Sequence, residues 1–421
     1  MSKKPSPLFT LFFTILLDML GLGILIPVIP VLLAQPDSPH YLLPVGTSIG
    51  TGYIVLGLLF ACFSFGQFVA SPIIGQFSDK LGRKRLLTLS VFGTALGHTL
   101  FAIGIYIGSI PLLFFARLFA GITGGNIVIA QAAIADITTP ENRAKNFGLI
   151  GAAFGLGFII GPFIGGKLAD PTLVSWFDAA TPFWFAAILS LINTFLVIKF
   201  FRETNRHINV EGKIHWGRSI RNIMRALDSG SVRPLFMTNF LFQTGFAFYT
   251  TFAAVYFLKH FGFTEGTIGN YFAFVGVWIV ITQAGITRLL SKKFTEANIL
   301  TYTIFLAALC IFGIVLAPQS TFLYMIAPFF AIGIGLTQAN MTALISRSAG
   351  AEIQGEVLGI NSSVMALAQT IPPLISGAIA AFFEPQAPLI IASLLIFISG
   401  GYFLGQGKKM KRTIAQKAAA R

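Results

Sequence analysis

Two ionisable side chains stand where such groups are costly. Asp18 lies deep in one apolar run, 8–33, and Arg117 in another, 111–136; away from run ends, no other Asp, Glu, Lys or Arg does so. At mid-bilayer either group costs at least ~2.5–3.5 kcal/mol on insertion scales, so a chain that retains one there has a use for it. Removal from water favours the neutral carboxyl, and a nearby cation favours the carboxylate. A carboxyl balanced between the two can carry a proton and release it on a conformational change or when a cation arrives. The same two residues could instead form a static pair that ties helices together. His98 is the one histidine at mid-run. It could titrate near neutrality or simply hydrogen-bond inside a bundle.

Polar groups that could meet a ligand are sparse. They are Asn126 and Gln131 in the fourth run, Gln243 in the seventh, Gln338 and Asn340 in the tenth, and Asn361 and Gln369 in the eleventh. Phe242, Phe246, Tyr249 and Tyr271 could supply aromatic walls. An apolar cavity with a few amides and one carboxylate suits a small amphipathic or weakly cationic molecule. A phosphorylated one would find only Arg117. Each amide is equally suited to bridging two helices. Neither a metal nor a cofactor is expected, and no G-x-x-x-x-G-K-[ST] phosphate loop occurs.

The elements that must hold these residues are membrane spans. Of 421 residues, 55% are apolar and 10% charged, and 44 are Phe; an ordinary soluble domain carries about 25% charge. That excludes a cytosolic enzyme, a disordered tail and, with only Cys62 and Cys310 present, a disulfide-stapled domain. Runs of about 20 apolar residues occur at 8–33, 48–76, 86–107, 111–136, 144–168, 180–201, 234–258, 265–290, 297–317, 321–346, 356–382 and 386–406. The first contains Asp18 and is too long for a cleavable signal. Twelve spans put both termini on one side, and 26 of the 29 Lys and Arg fall there. By the positive-inside rule that side is the cytoplasm. The net charge of +14 is therefore a topology signal, and no nucleic-acid partner is expected.

The expected organisation is one six-helix half over 1–201, a cytoplasmic linker over 202–233, and a second half with a basic tail over 234–421. In the linker, Trp216, Ile220, Ile223, Met224 and Leu227 fall at helical spacing while Arg218, Arg221 and Arg225 face away. That pattern describes a tether lying on an anionic inner leaflet. The halves repeat: an offset of 211 pairs Gly124 with Gly335, Glu141 with Glu352, Gly148 with Gly359, Pro162 with Pro373 and Gly166 with Gly377. Parallel six-span repeats are a transporter architecture, with the ligand held at mid-depth.

Between the second and third runs stands Gly75-Gln76-Phe77-Ser78-Asp79-Lys80-Leu81-Gly82-Arg83-Lys84-Arg85. It closely resembles the G-x-x-x-D-R/K-x-G-R-R/K signature of the major facilitator superfamily. Leu17-Asp18-Met19-Leu20-Gly21-Leu22-Gly23 with Pro27 and Pro30, and Arg117 with Gly121 and Gly124, are similar to first- and fourth-span motifs of its twelve-span drug:proton antiporter branch. Gly157-Phe158-Ile159-Ile160-Gly161-Pro162-Phe163-Ile164-Gly165-Gly166 matches that branch's fifth-span motif, and the exit Asp136…Pro140-Glu141-Asn142-Arg143 fits it too. The first half most resembles tetracycline-type efflux pumps. Those pumps are expected to carry acids in the third and ninth spans, where this chain reads Thr94-Ala95-Leu96-Gly97-His98 and Leu306-Ala307-Ala308-Leu309-Cys310.

The resemblance implies an all-α integral membrane protein of the major facilitator fold, with twelve transmembrane helices in two pseudo-symmetric six-helix halves. It implies proton-coupled efflux of a small lipophilic or cationic compound by a monomer in a bacterial inner membrane. Asp18, Arg117 and His98 would couple the proton. Gly75, Asp79, Gly82, Arg83, Asp136 and Arg143 would form a cytoplasmic gate, latching the second span's exit to the fourth span and to the eleventh helix. Gly157, Gly161 and Gly165 recur every four residues and present a smooth face for close packing, Gly166 completes the motif, and Pro162 removes a backbone donor and should bend the helix. Two other readings stay open: a symporter or facilitator for a nutrient or siderophore-like solute, and a receptor that no longer transports.

Overall fold

The computed structural model describes residues 7–138, 143–205, 214–228, 230, 232–348 and 354–419, the side chains of 143–152, 154, 158, 354–356, 358 and 407–419 excepted. No strand occurs among them. Pro140, Glu141, Asn142 and Glu352 lie outside the described residues, as does the side chain of Arg143.

The helices are α1 (Pro7–Leu33), α2 (Ile49–Leu81), α3 (Arg83–Tyr106), α4 (Ile110–Thr123), α5 (Asn126–Ile137), α6 (Arg143–Leu168), α7 (Thr181–Phe200), α8 (Arg218–Asp228), α9 (Arg233–Phe261), α10 (Glu265–Ile281), α11 (Thr287–Leu290), α12 (Glu296–Leu316), α13 (Ser320–Arg347), α14 (Gln354–Phe383) and α15 (Ala387–Ala419). A π-helical turn, Thr282–Ile286, joins α10 to α11. Taking α4 with α5, and α10 through α11, as single spans, eleven helices among the described residues are long and apolar enough to cross a membrane. The remaining expected span coincides with α6, of 26 residues. At 1.5 Å per residue the shortest of these, of 20 residues, just match the ~30 Å hydrocarbon core, and the longer ones extend into the interfaces.

Helix starts follow local chemistry. Ser48, Ser109 and Thr295 each accept a backbone N–H from three residues on, satisfying donors that a helix N-terminus leaves orphaned. Large apolar side chains such as Phe115, Phe195, Leu309 and Met325 keep more than half their surface open. Such a surface is soluble only in lipid.

The chain divides into two compact units, residues 1–218 with 262–273, and residues 219–261 with 274–421. The first packs Leu11, Ile15 and Met19 of α1 against Leu87 and Val91 of α3, Ile129 and Ala133 of α5, and Val197 of α7. In the second, Asn239 of α9 donates from Nδ2 to Asn361 Oδ1 of α14 at 2.7 Å, and Ser399 of α15 reaches the Thr238 carbonyl at 2.8 Å.

The two repeats differ at one informative point. The fourth span breaks between Thr123 and Asn126, at Gly124-Gly125. Its counterpart α13 runs unbroken through Gly335 and Leu336. A second glycine is what the broken copy has and the continuous one lacks, and paired glycines weaken a helix.

Candidate functional site

The fifth-span glycines set the position of α1. A Cβ on Gly161 would lie 2.6 Å from the Leu20 carbonyl oxygen, one on Gly165 would lie 2.7 Å from that of Ile24, and one on Gly157 would run into Met19. Pro162 packs on Gly23, where a Cβ would lie 2.7 Å from the proline Cδ. The helix continues through Pro162 to Leu168. Gly166 faces α10 instead, against the backbone of Glu265 and Gly269. Backbone-to-backbone packing of this kind leaves α1 little freedom, and it leaves the Asp18 side of the helix to other partners.

Those partners come from α2 to α5. Asn126 Nδ2–H donates to Asp18 Oδ1 at 2.8 Å and lies 3.4 Å from Thr94 Oγ1. Arg117, 4% exposed, places its guanidinium 4.4 Å from the centre of the Phe63 ring. His98 rests on Gly21, where a Cβ would lie 2.7 Å from Nε2. Asp18, Phe63, Gln67, Thr94, His98 and Arg117 line one small cavity of about 30 Å³, room for roughly one water molecule. Among the described residues Asp18 Oδ2, Asn126 Oδ1 and Arg117 Nε are buried without a hydrogen-bond partner. The three residues assigned to the proton thus meet at one point. The hydrogen bond to Asp18 comes from Asn126, while Arg117 is held by an aromatic face. Unpaired buried polar atoms are rare and costly, and three of them fall within this one group of side chains.

The break in the fourth span adjoins this cavity. Freed carbonyls at a break inside a bilayer need other partners, side chains among them. Gln67 Nε2 donates to the Gly124 carbonyl at 3.2 Å, and the Ser90 hydroxyl donates to that of Thr123.

A second group surrounds the turn after α2. Arg83, 7% exposed, binds Asp79 at 2.7 Å and Asp136 at 3.1 Å and also donates to the Ser78 hydroxyl. The guanidinium is buried and has three partners. Gly82 takes φ +89, a conformation that glycine adopts without strain. Gly75 leaves room for Val128, 3.1 Å from where its Cβ would be. Sequence reasoning missed the strap that closes over this turn. Glu203 accepts the backbone N–H of Arg83 at 2.9 Å and that of Lys84 at 3.0 Å. Thr204 donates to Asp136 at 3.2 Å, and Asn205 to the Asp79 carbonyl at 3.1 Å. Gln76 brackets the backbone of His215, accepting its N–H at 2.8 Å and donating to its carbonyl at 3.2 Å. The readable signal was three basic residues opening a helix, which calls for an acid from elsewhere.

The residues expected to face substrate are divided. Asn126 is fully buried on Asp18. Asn340 donates to the Leu336 carbonyl of its own helix at 2.8 Å, and Gln243 is buried. Tyr249 is buried between Phe246, at 6.2 Å between ring centres, and Phe330, at 4.9 Å. Gln131, Gln338, Gln369 and Phe246 keep part of their surface open.

The family model described as Major Facilitator Superfamily matches residues 11–371. The tetracycline resistance protein, class H, of Pasteurella multocida is 30% identical over 85% of this chain and 85% of its own length. Multidrug resistance protein 1 of Bacillus subtilis (strain 168) is 29% identical over 90% of each. Among solved structures, the human organic anion transporter MFSD10 (TETRAN) superposes with TM-score 0.73 at 20% identity, covering 95% of this chain and 100% of that one. The D-xylose-proton symporter does so at TM-score 0.73 and 15% identity, covering 94% and 97%.

Proposed function

We propose, from the premise that the chain belongs to the Major Facilitator Superfamily, that it expels a small lipophilic or cationic compound in exchange for protons. It is a multi-pass membrane transporter, not an enzyme. Its relatives along most of the chain are tetracycline and multidrug resistance proteins. The observation that carries the proton half of the reading is the grouping of Asp18, Arg117 and His98 around one small cavity. That cavity holds about one water molecule, which suits a proton site and is far too small for a drug. Gln131, Gln338, Gln369 and Phe246 are the candidates for substrate contact, since they retain open surface.

In this mechanism Asp18 takes a proton from the outer side, and the return to the inward-open state brings substrate in as the proton leaves. Asp18 and Arg117 line one low-dielectric pocket, so a proton gained or lost at the carboxyl changes the net charge enclosed there and shifts the balance between states. One proton entering supplies about 2.3 kcal/mol per 100 mV, plus the pH contribution. The turn around Arg83 is the cytoplasmic latch, and the glycine seam between α1 and α6 limits leak. Both termini face the cytoplasm, the 202–233 segment links the two halves in sequence, and a monomer in a bacterial inner membrane suffices. The apolar residues Trp216, Ile220, Met224 and Leu227 of the linker are exposed, while Ser219, Asn222 and Ala226 are buried. That arrangement supports docking of α8 on an anionic leaflet.

The test is uptake of the lipophilic cation ethidium into inside-out vesicles under an imposed pH gradient, wild type against Asp18→Asn. The reading expects accumulation by the wild type alone. Concentration by the variant at the wild-type rate would remove Asp18 from the coupling step. Wild-type uptake indifferent to the gradient would favour a facilitator.

A further inference from the structure

Two of the three unpartnered atoms around Asp18 belong to side chains that already touch. Asn126 Nδ2–H donates to Asp18 Oδ1, and the remaining oxygens of these same two groups, Asp18 Oδ2 and Asn126 Oδ1, are both buried and lack a partner. Two acceptors left over on a bonded pair are short of one hydrogen. A carboxylic acid supplies it. Once protonated on Oδ2, Asp18 donates to Asn126 Oδ1 while still accepting from Nδ2, and acid and amide close a ring of two hydrogen bonds. The proton comes from a hydronium ion that leaves as water, the O–H bond on Oδ2 is the only covalent bond formed, and the carboxyl passes from −1 to neutral. Without that proton both oxygens stay unpaired, and burial makes that costly.

Asn126 is also the first residue of α5, directly after the break in the fourth span. On the other side of the break the backbone is braced by Gln67 on the Gly124 carbonyl and Ser90 on that of Thr123, contacts that do not depend on a proton at Asp18. Asn126 is the one brace whose number of bonds does. We propose that Asn126 is the positioning residue that converts protonation of Asp18 into a tightening of the Gly124–Gly125 break, so that the fourth span is braced when the carrier is loaded and loosened when it is empty. This rests on the reading of Asp18 as the proton carrier. The second repeat supports the assignment, because at the equivalent place it has Leu336 and Thr337 in an unbroken helix, with Thr337 bonded to Thr303 at 2.9 Å. The other titratable or charged groups around Asp18, among the described residues, are His98 of α3, Arg117 of α4 and, near the arginine, Cys62 of α2. From α5, α6 and α7 the residues at or near this level are Asn126, Gly157 and Asn193.

The test is amide hydrogen exchange of the full chain in nanodiscs, read over residues 120–130 at about pH 5.5 and about pH 8.5 and corrected for intrinsic rates. Wild-type protection at the break should be roughly fivefold higher at the lower pH, the factor one hydrogen bond is worth. Asp18→Asn keeps a donor at every pH and should be highly protected at both. Asn126→Ala should be poorly protected at both, and Asn126→Ser should behave alike and serves if the alanine variant fails to fold. A wild-type pH difference retained in Asn126→Ala or Asn126→Ser overturns the role of Asn126 and leaves the carrier reading intact. A pH difference retained in Asp18→Asn shows that another group titrates, which overturns both; His98→Gln then identifies it.

Discussion

At the start of α3 three basic residues, Arg83, Lys84 and Arg85, occupy the helix end where positive charge is least favourable, and Gly82 before them has no side chain to cap it. Glu203 supplies the missing cap from a point 120 residues away. Glu203→Ala should therefore lower stability by about 0.5–2 kcal/mol, the usual loss of an N-cap, visible as a lower unfolding temperature in detergent. An unchanged midpoint would mean that water replaces the carboxylate at no cost. Such partnerships explain what a reading of residues in order missed. Asp18 and Arg117 are conspicuous because charge in an apolar run is rare. Asn126, 108 positions from Asp18, looks like any other amide until the fold joins them.

Among the elements, α6 and α15 give opposite predictions for the same kind of change. Gly161→Leu would push α1 away from α6, since even a Cβ lies 2.6 Å from the Leu20 carbonyl; overpacking of this kind costs about 1–3 kcal/mol. It should also displace Asp18 and reduce proton-driven exchange. Gly401→Ala in α15 meets nothing within 4 Å and should stabilise by about 0.4–1 kcal/mol through the lost freedom of the unfolded chain. Thermal unfolding of the two variants side by side checks the contrast, and equal effects would contradict it. For α8, a nitroxide on Met224→Cys, with Cys62 and Cys310 replaced, should sit among lipid in anionic nanodiscs and report collisions with dissolved oxygen. Accessibility to a water-soluble relaxer instead would show that the helix stands off the membrane. The spans themselves were legible because length and hydropathy are sufficient to define them. The break at Gly124-Gly125 was not, since apolar character continues across it and glycine pairs also serve simple packing.

For the whole molecule, composition alone separated a lipid-dissolved chain from a soluble one, and the motif around Arg83 identified the superfamily before any contact was known. The substrate was not legible, because amides such as Asn340 and Asn361 prove to be occupied by neighbouring helices or by their own backbone. What unites the account is exchange: one carboxyl that holds a proton in one state and gives it up when substrate arrives. The measurement closest to that claim is proton release on adding ethidium to the purified chain in weakly buffered detergent, followed with a pH indicator. The account predicts a saturable release approaching one proton per chain from the wild type and none from Asp18→Asn. Equal release from both, or binding by the wild type with no proton released, would contradict it.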